Sequence, residues 1–295
     1  MQEVKRKEEE KRNLSSYHGL WTLTSRELKK WYKAPVILLL SIVQPIFWIA
    51  LFGKAMNLGG LFTGTAISIT GLTIPKQVID EIGTEILKQT FGTTDYFSFL
   101  AAGMLSFIVL FTSMQSGMSV VWDRRLGVLD RLLTTPVARG NILVAKILNS
   151  VIRSLVQATI VLAAAVLLGM SFAPGINVLD FLGAYGALFL MSFGLSALFL
   201  LLALRASDWQ SQMAIMNLLN LPLLFTSNAF YPIKEMPSWL KPIAYVNPLT
   251  YSNGAIRGLL LGISTNLGID FLYLGLFAVI LSAIGIVLSW RYLST

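Results

Sequence analysis

Arg153 lies well inside a long apolar stretch of this chain, whereas Arg205, Asp208 and Asp270 fall where such stretches begin or end. A cation at that depth is costly unless it is paired or reaches polar surroundings. A proton relay would need several mid-stretch Asp, Glu or His side chains, and Arg153 alone approaches that requirement. Hydrolytic and metal chemistry find no better footing. The single histidine, His18, stands in a charged leader, no His/Asp/Glu constellation occurs within the apolar stretches, and zero cysteines exclude thiolate chemistry and disulfides. No G-x-x-x-x-G-K-[ST] occurs either, Gly53–Lys54 having neither the upstream glycine nor the following Ser or Thr. No catalytic, metal-binding or cofactor-binding residue is assigned. Sparse polar points remain: Gln44, Trp48, Gln115, Ser116, Asn217 and Asn220, on otherwise apolar segments. They can line a pathway for an amphiphile or simply hydrogen-bond neighbouring helices.

A second signal is a break in regularity. From Ser227 to Gly262 the sequence reads SNAFYPIKEMPSWLKPIAYVNPLTYSNGAIRGLLLG. Prolines at 232, 237, 242 and 248 each remove a backbone donor, and Tyr231, Trp239 and Tyr245 favour a membrane–water boundary. Irregular backbone is tolerated at membrane depth only where protein or a water-filled cavity satisfies it, so the segment reads as part of a transport pathway or as a looped-out connector.

The elements that position these residues follow from composition. At 295 residues, 55% hydrophobic and 13% charged, with a mean hydropathy of +0.68, the chain is too apolar for a soluble globule and reads as an all-α integral membrane protein. Crossing the hydrocarbon core takes about 20 apolar residues. Six segments qualify: Ala34–Phe52, Phe97–Val121, Ile142–Met170, Phe181–Leu204, Ser211–Phe230 and Phe271–Trp290. Pro45 and Pro222 predict kinks in the first and fifth. The charged N-terminus shows no cleavable signal.

Lys and Arg set the orientation. They crowd residues 5–33 and recur at Arg124, Arg125, Arg131, Arg139 and Lys146, which predicts that both regions, and with six crossings the C-terminus, are cytoplasmic. The net charge of +8 follows from this bias. A nucleic-acid binder would need a folded basic surface, and no domain-sized segment supplies one. Two units are expected: a charged leader with an amphipathic interface helix at 1–33, and a six-span membrane domain at 34–295. In the leader helix Leu20 and Trp21 alternate with Arg26, Glu27 and Lys30, as for a helix lying in the interface; a solvated helix that only orients the first span has the same composition.

An external amphipathic segment is expected at about 72–92, where Asp80, Glu81 and Glu85 read as solvated rather than metal-binding. Between the second and third spans runs DRRLGVLDRLLTTPVARGNILVAKIL, in which Leu126, Leu129, Leu132 and Leu133 form an apolar stripe beside Arg124, Arg125, Asp130 and Arg131. Either a short helix at about 124–135 can insert leucines into a partner groove, or a tight turn merely carries positive charge.

These two blocks, about ninety residues apart, resemble the permease subunit of type-2 ABC exporters, the group that includes drug-resistance and polysaccharide-export permeases. Gly127, Leu132, Thr135, Pro136, Arg139 and Lys146 match the cytoplasmic signature, and Ser227, Pro232, Met236, Pro237, Trp239, Asn247, Pro248 and Arg257 the extracellular one. The long 53–95 segment departs from the shorter external loop of many members. The resemblance implies an interface helix, six spans, a coupling helix (Arg124, Arg125, Leu126, Gly127, Leu129, Arg131, Leu132, Leu133) and a re-entrant segment at about 231–262. It also implies a homodimeric core in the plasma membrane working with two separate ATPase subunits, which bind the ATP and Mg, and moving an amphiphilic drug, lipid or lipid-linked glycan. An ion-coupled secondary transporter is the alternative. Arg257 is expected to snorkel to external headgroups or the last carbonyls of its helix.

Overall fold

The computed structural model describes residues 19–55, 68–69, 72–73, 76–134, 139–205 and 208–292. Helix α1 covers 19–32. Helix α2, Pro35–Trp48, starts with proline in its first turn, where a missing N–H costs nothing, and passes into π-helical turns over Ile49–Ala55. The disturbance expected at Pro45 therefore appears as a change of helix type one turn later. A minimal hairpin pairs β1, Ser68–Ile69, with β2, Leu72–Thr73. Then follow α3, Lys76–Phe91; α4, Tyr96–Arg125; α5, Val128–Leu133; α6, Arg139–Leu167; α7, Val178–Arg205; and α8, Trp209–Phe225. A 3₁₀ turn at Ile233–Glu235 leads into α9, Lys241–Val246, α10, Pro248–Leu261, and α11, Leu267–Tyr292.

Among the described residues four stretches are long and apolar enough to cross a membrane: Glu81–Arg125, Gly140–Leu167, Val178–Leu204 and Leu267–Gly285. The first joins the end of α3 to α4 across a break at 92–95. The other two predicted spans are helical but shorter, with α2 at 14 residues before its π turns and α8 at 17. The leader through His18, most of the segment between Ala55 and Lys76, and residues 135–138 lie outside the described residues.

Helix α4 is the axis of the bundle. Its residues are buried almost without interruption from Tyr96 to Val121, the signature of a helix apolar on all sides and surrounded by others. Helices α6, α7, α8 and α10 pack around it, while α11 packs on α7 and α10 and leaves Leu272, Val279 and Val287 on the outside. Glycines let the helices close up. A Cβ on Gly117 would lie 2.5 Å from the Phe199 carbonyl oxygen, and one on Gly194 would lie 2.5 Å from the Phe277 ring. Small residues at crossings are the usual device where lipid tails offer no hydrophobic drive between helices.

Buried hydroxyls supply the other interhelical ties. Ser106 on α4 donates to Ser252 on α10 at 2.9 Å, while Ser154 on α6 and Ser192 on α7 lie 2.7 Å apart. Ser196 donates to Ser150 at 2.7 Å, and Thr112 on α4 bonds Gln157 on α6. Each such bond contributes about 0.6 kcal/mol on average in a membrane bundle. The set fixes register more than it supplies energy.

Candidate functional site

Where α1 lies across α4 and α6, charges converge. Glu27, 7% exposed, accepts from Arg26 at 2.8 Å and from Lys30 at 3.0 Å. Lys30 also reaches Asp123 on α4 at 3.3 Å, and Lys146 on α6 donates to the same carboxylate at 2.6 Å. Lys146 further donates to Ser119 at 3.2 Å and stands 4.0 Å from Glu27. Burial alone would raise the Glu27 carboxyl, but Lys146, Arg26 and Lys30 outweigh it and hold it below its ordinary value. The helix that composition described as interfacial is thus tied to two transmembrane candidates, to α4 through Lys30 and to α6 through Glu27. Sequence reasoning did not pair these residues. A hint was available: Glu27 is the sole acid among the basic residues of 19–33, and Asp123 and Lys146 flank one loop.

Against this cluster, a cavity of about 580 Å³ opens between α1, α4, α6 and α8. That size is typical of small-molecule sites, which run from about 300 to 1,000 Å³. Its wall is mostly apolar, with Phe111, Met118, Trp122 and Trp209 among the lining, and the two tryptophan rings stand 4.6 Å apart. Polar groups interrupt it. Gln115, Asn217 and Asn220 from the predicted pathway are three of them, joined by Asn149 and Arg153 of α6, by Ser119, and by Glu27, Lys30 and Asp123 of the charge cluster. Arg153 is 8% exposed, and its guanidinium carbon lies 5.4 Å from the centre of the Trp31 ring. The other predicted pathway residues stand elsewhere. Ser116 is buried beside the cavity without lining it, Trp48 packs against the core, and Gln44 sits half-buried on α2.

At the other end of α4, Arg257 forms a second buried knot. It is 3% exposed, so the expected snorkelling is corrected. Its guanidinium donates to the Phe99 carbonyl at 3.1 and 2.9 Å, to Asn228 at 2.5 Å and to Ala229 at 2.7 Å, and lies over the Phe99 ring. The physical reason is supply and demand. The chain leaving α8 has carbonyls with no helical partner, and a planar fork of five donors can satisfy several at once. Gly103 admits this approach, since a Cβ there would stand 2.7 Å from the Ala229 oxygen.

Asn247 completes the arrangement. Its Oδ1 accepts from Leu249 N at 3.0 Å as the cap of α10, while its Nδ2 donates to the Leu223 carbonyl at 2.6 Å. Pro248 occupies the first turn, and Gly262 ends the helix at φ 66°, a left-handed conformation that suits glycine. Pro232 precedes the 3₁₀ turn, Pro237 follows it, and Trp239 is 69% exposed.

The loop helix α5 differs from its expected stripe. Leu126 is 65% exposed, but Leu129 is 5% exposed and turned into the protein. Gly127 separates them at φ 65°, which breaks the helix between Arg125 and Val128 and rotates the two leucines onto different faces. Arg124 turns inward and donates to the Leu204 carbonyl at the end of α7, at 3.3 Å. Arg125 lies over Trp122 at 5.9 Å and Arg131 is exposed, while Leu132 is half-buried. The side chains of Leu133 and Arg139 lie outside what the structure describes.

Comparison with known proteins matches residues 18–261 to the family described as ABC-2 type transporter. The transport permease ycf38 of Cyanophora paradoxa is 30% identical over 239 residues, covering 81% of this chain and 72% of that protein. Its counterpart in Porphyra purpurea is 28% identical over 236 residues, or 80% and 71%. The daunorubicin resistance ABC transporter permease protein DrrB1 of Streptomyces coeruleorubidus is 30% identical over 174 residues, 58% of this chain and 60% of that one.

Proposed function

This chain belongs to the ABC-2 type transporter family, and on that premise we propose that it is the membrane subunit of an ATP-driven exporter, carrying an amphiphile out of the cytoplasm or inner leaflet. The family implies an ABC ATPase as partner. The absence of a P-loop in this sequence is consistent with nucleotide and Mg binding on that separate subunit. In this reading the chain crosses the plasma membrane six times, with α2 and α8 as first and fifth spans and both termini cytoplasmic. Residues 1–33 form the leader and interface helix, and 34–295 the permease domain. The helix α5 is the coupling element, α3 is external, and α9 and α10 re-enter the membrane from outside.

Two copies are proposed to form the core. The supporting observation is that apolar rows on α2 and α8, beside the polar points of the predicted pathway, stay as exposed as the outer face of α11. Val36, Leu39, Leu40 and Phe47 on α2 and Leu218 and Leu221 on α8 are exposed, each between 57% and 72%. Facing copies would bury these rows, with Gln44, Gln115, Asn217 and Asn220 as polar points beside them. The observation that carries the transport reading is the 580 Å³ cavity, which brings Gln115, Asn217 and Asn220 to one wall. The test is ATPase stimulation of the reconstituted complex by a panel of amphiphiles. Asn217→Leu and Gln115→Leu, both on the cavity wall, should raise the half-stimulating concentration about tenfold, the effect of one lost hydrogen bond to substrate. Unchanged apparent affinity in both variants would reject this lining.

A further inference from the structure

Arg153 stands apart from the other buried charges. It is nine-tenths buried, yet among the described residues no carboxylate comes within ion-pair distance of it and it donates no hydrogen bond. Its Nε has no acceptor, and neither has the indole Nε1 of Trp31, whose ring lies against the guanidinium. Both groups belong to residues on the cavity wall, and both are donors. Glu27 attracts it from beyond ion-pair distance and Trp31 offers only a ring face, and a buried guanidinium without a close partner is costly, so an occupant that supplies acceptors and negative charge is favoured there.

We propose that the cavity binds an amphiphilic anion, its head group held at Arg153 and Trp31 and its apolar chain lying along Met114, Met118, Met213 and Met216. The proposal rests on the reading of the chain as an amphiphile-carrying permease and gives that pathway a substrate class. Three further observations support it. The two carboxylates on the cavity wall, Glu27 and Asp123, are already engaged by Arg26, Lys30 and Lys146, so with Arg153 the local cations outnumber them four to two. A cationic ligand would find no free counter-charge. The four methionines give an apolar wall that adapts to chains of different shape. Asn149, one helical turn from Arg153 on α6, has its Oδ1 unpartnered, and Asn220 across the cavity likewise, so a protonated or hydroxylated head finds acceptors as well.

Because the chain contains no cysteine, Met213→Cys reports on occupancy of the wall without altering Arg153. The full-length variant is purified in a neutral maltoside detergent, and its rate of maleimide labelling is measured with dodecyl phosphate, dodecyltrimethylammonium or inorganic phosphate. Dodecyl phosphate alone should protect, saturably. Adding Arg153→Gln should raise the half-protecting concentration about tenfold or more, the loss expected for a hydrogen bond to a charged group, with Arg153→Lys in between. Equal protection by dodecyltrimethylammonium overturns the proposal, as does protection that ignores Arg153→Gln. Equal protection by inorganic phosphate converts the site to one for free anions and overturns the amphiphile. If Arg153→Gln does not fold, the charge selectivity of Met213→Cys decides alone. No ATPase is needed, so protection without ATP-driven transport would reject the exporter reading and leave this one standing.

Discussion

At the residue scale, the buried cations matter most, and they differ in how far the protein satisfies them. Arg257 gives its donors to backbone carbonyls of Phe99, Asn228 and Ala229, at about 1.5–3 kcal/mol for each hydrogen bond to a charged group. Arg257→Lys keeps the charge but loses the fork, so thermal stability in detergent should fall by about 2 kcal/mol or more. An unchanged melting profile would mean that the carbonyls find other partners. Glu27 has a pH consequence. Its folded pKa is depressed, so its contribution is fully present above the ordinary value of 4.5 and is lost as pH falls through the folded value. The stability difference between wild type and Glu27→Gln should therefore be constant near neutrality and shrink below about pH 4.5. A difference that grew on acidification would contradict the depressed carboxyl. The sequence announced Arg153 by its depth in an apolar stretch. It announced Arg257 only as an arginine near a membrane edge, because the carbonyls that bury it belong to α4 and to the loop after α8.

Helices were legible wherever period and punctuation agreed. Asn247 caps α10, Pro248 sits in its first turn and Gly262 stops it, roles that residue type alone favours at such positions. Pro45 and Pro222 are seen inside α2 and α8. The stripe on α5 was misread for a local reason: Gly127 adopts a left-handed φ, so residues on either side of it do not share one helical face. Three-residue spacing on paper then joins Leu126 and Leu129, which the structure separates into exposed and buried. The consequence is a sorted mutational outcome. Leu126→Glu and Leu132→Glu should abolish recovery of the ATPase with the permease while leaving membrane expression intact. Leu129→Ala should instead destabilise the permease, by about 2 kcal/mol or more for a buried leucine. Arg125→Ala should mainly change the salt dependence of docking, as rim charges do. If Leu129→Ala expresses normally and only Leu129→Ala loses the ATPase, α5 docks by its other face.

For the molecule as a whole, class and family were legible because composition and two long motif blocks are global properties, whereas the cavity was not. It is walled by α1, α4, α6 and α8, of which the first three meet through the Glu27–Lys30–Asp123–Lys146 cluster. Hydropathy registers each of these helices separately and is blind to charges that neutralise one another across them. In the proposed assembly the exposed rows on α2 and α8 face a second copy, and α5 faces the ATPase. Everything proposed for transport depends on that assembly. The decisive experiment is to isolate the tagged chain from its native membrane in mild detergent, weigh the complex, and assay it for ATP hydrolysis. Two permeases with two P-loop ATPases, hydrolysing ATP and losing that partner on Leu132→Glu, is the expected result. A chain recovered without any ATPase, yet moving its substrate down an ion gradient, would contradict it and favour the secondary transporter.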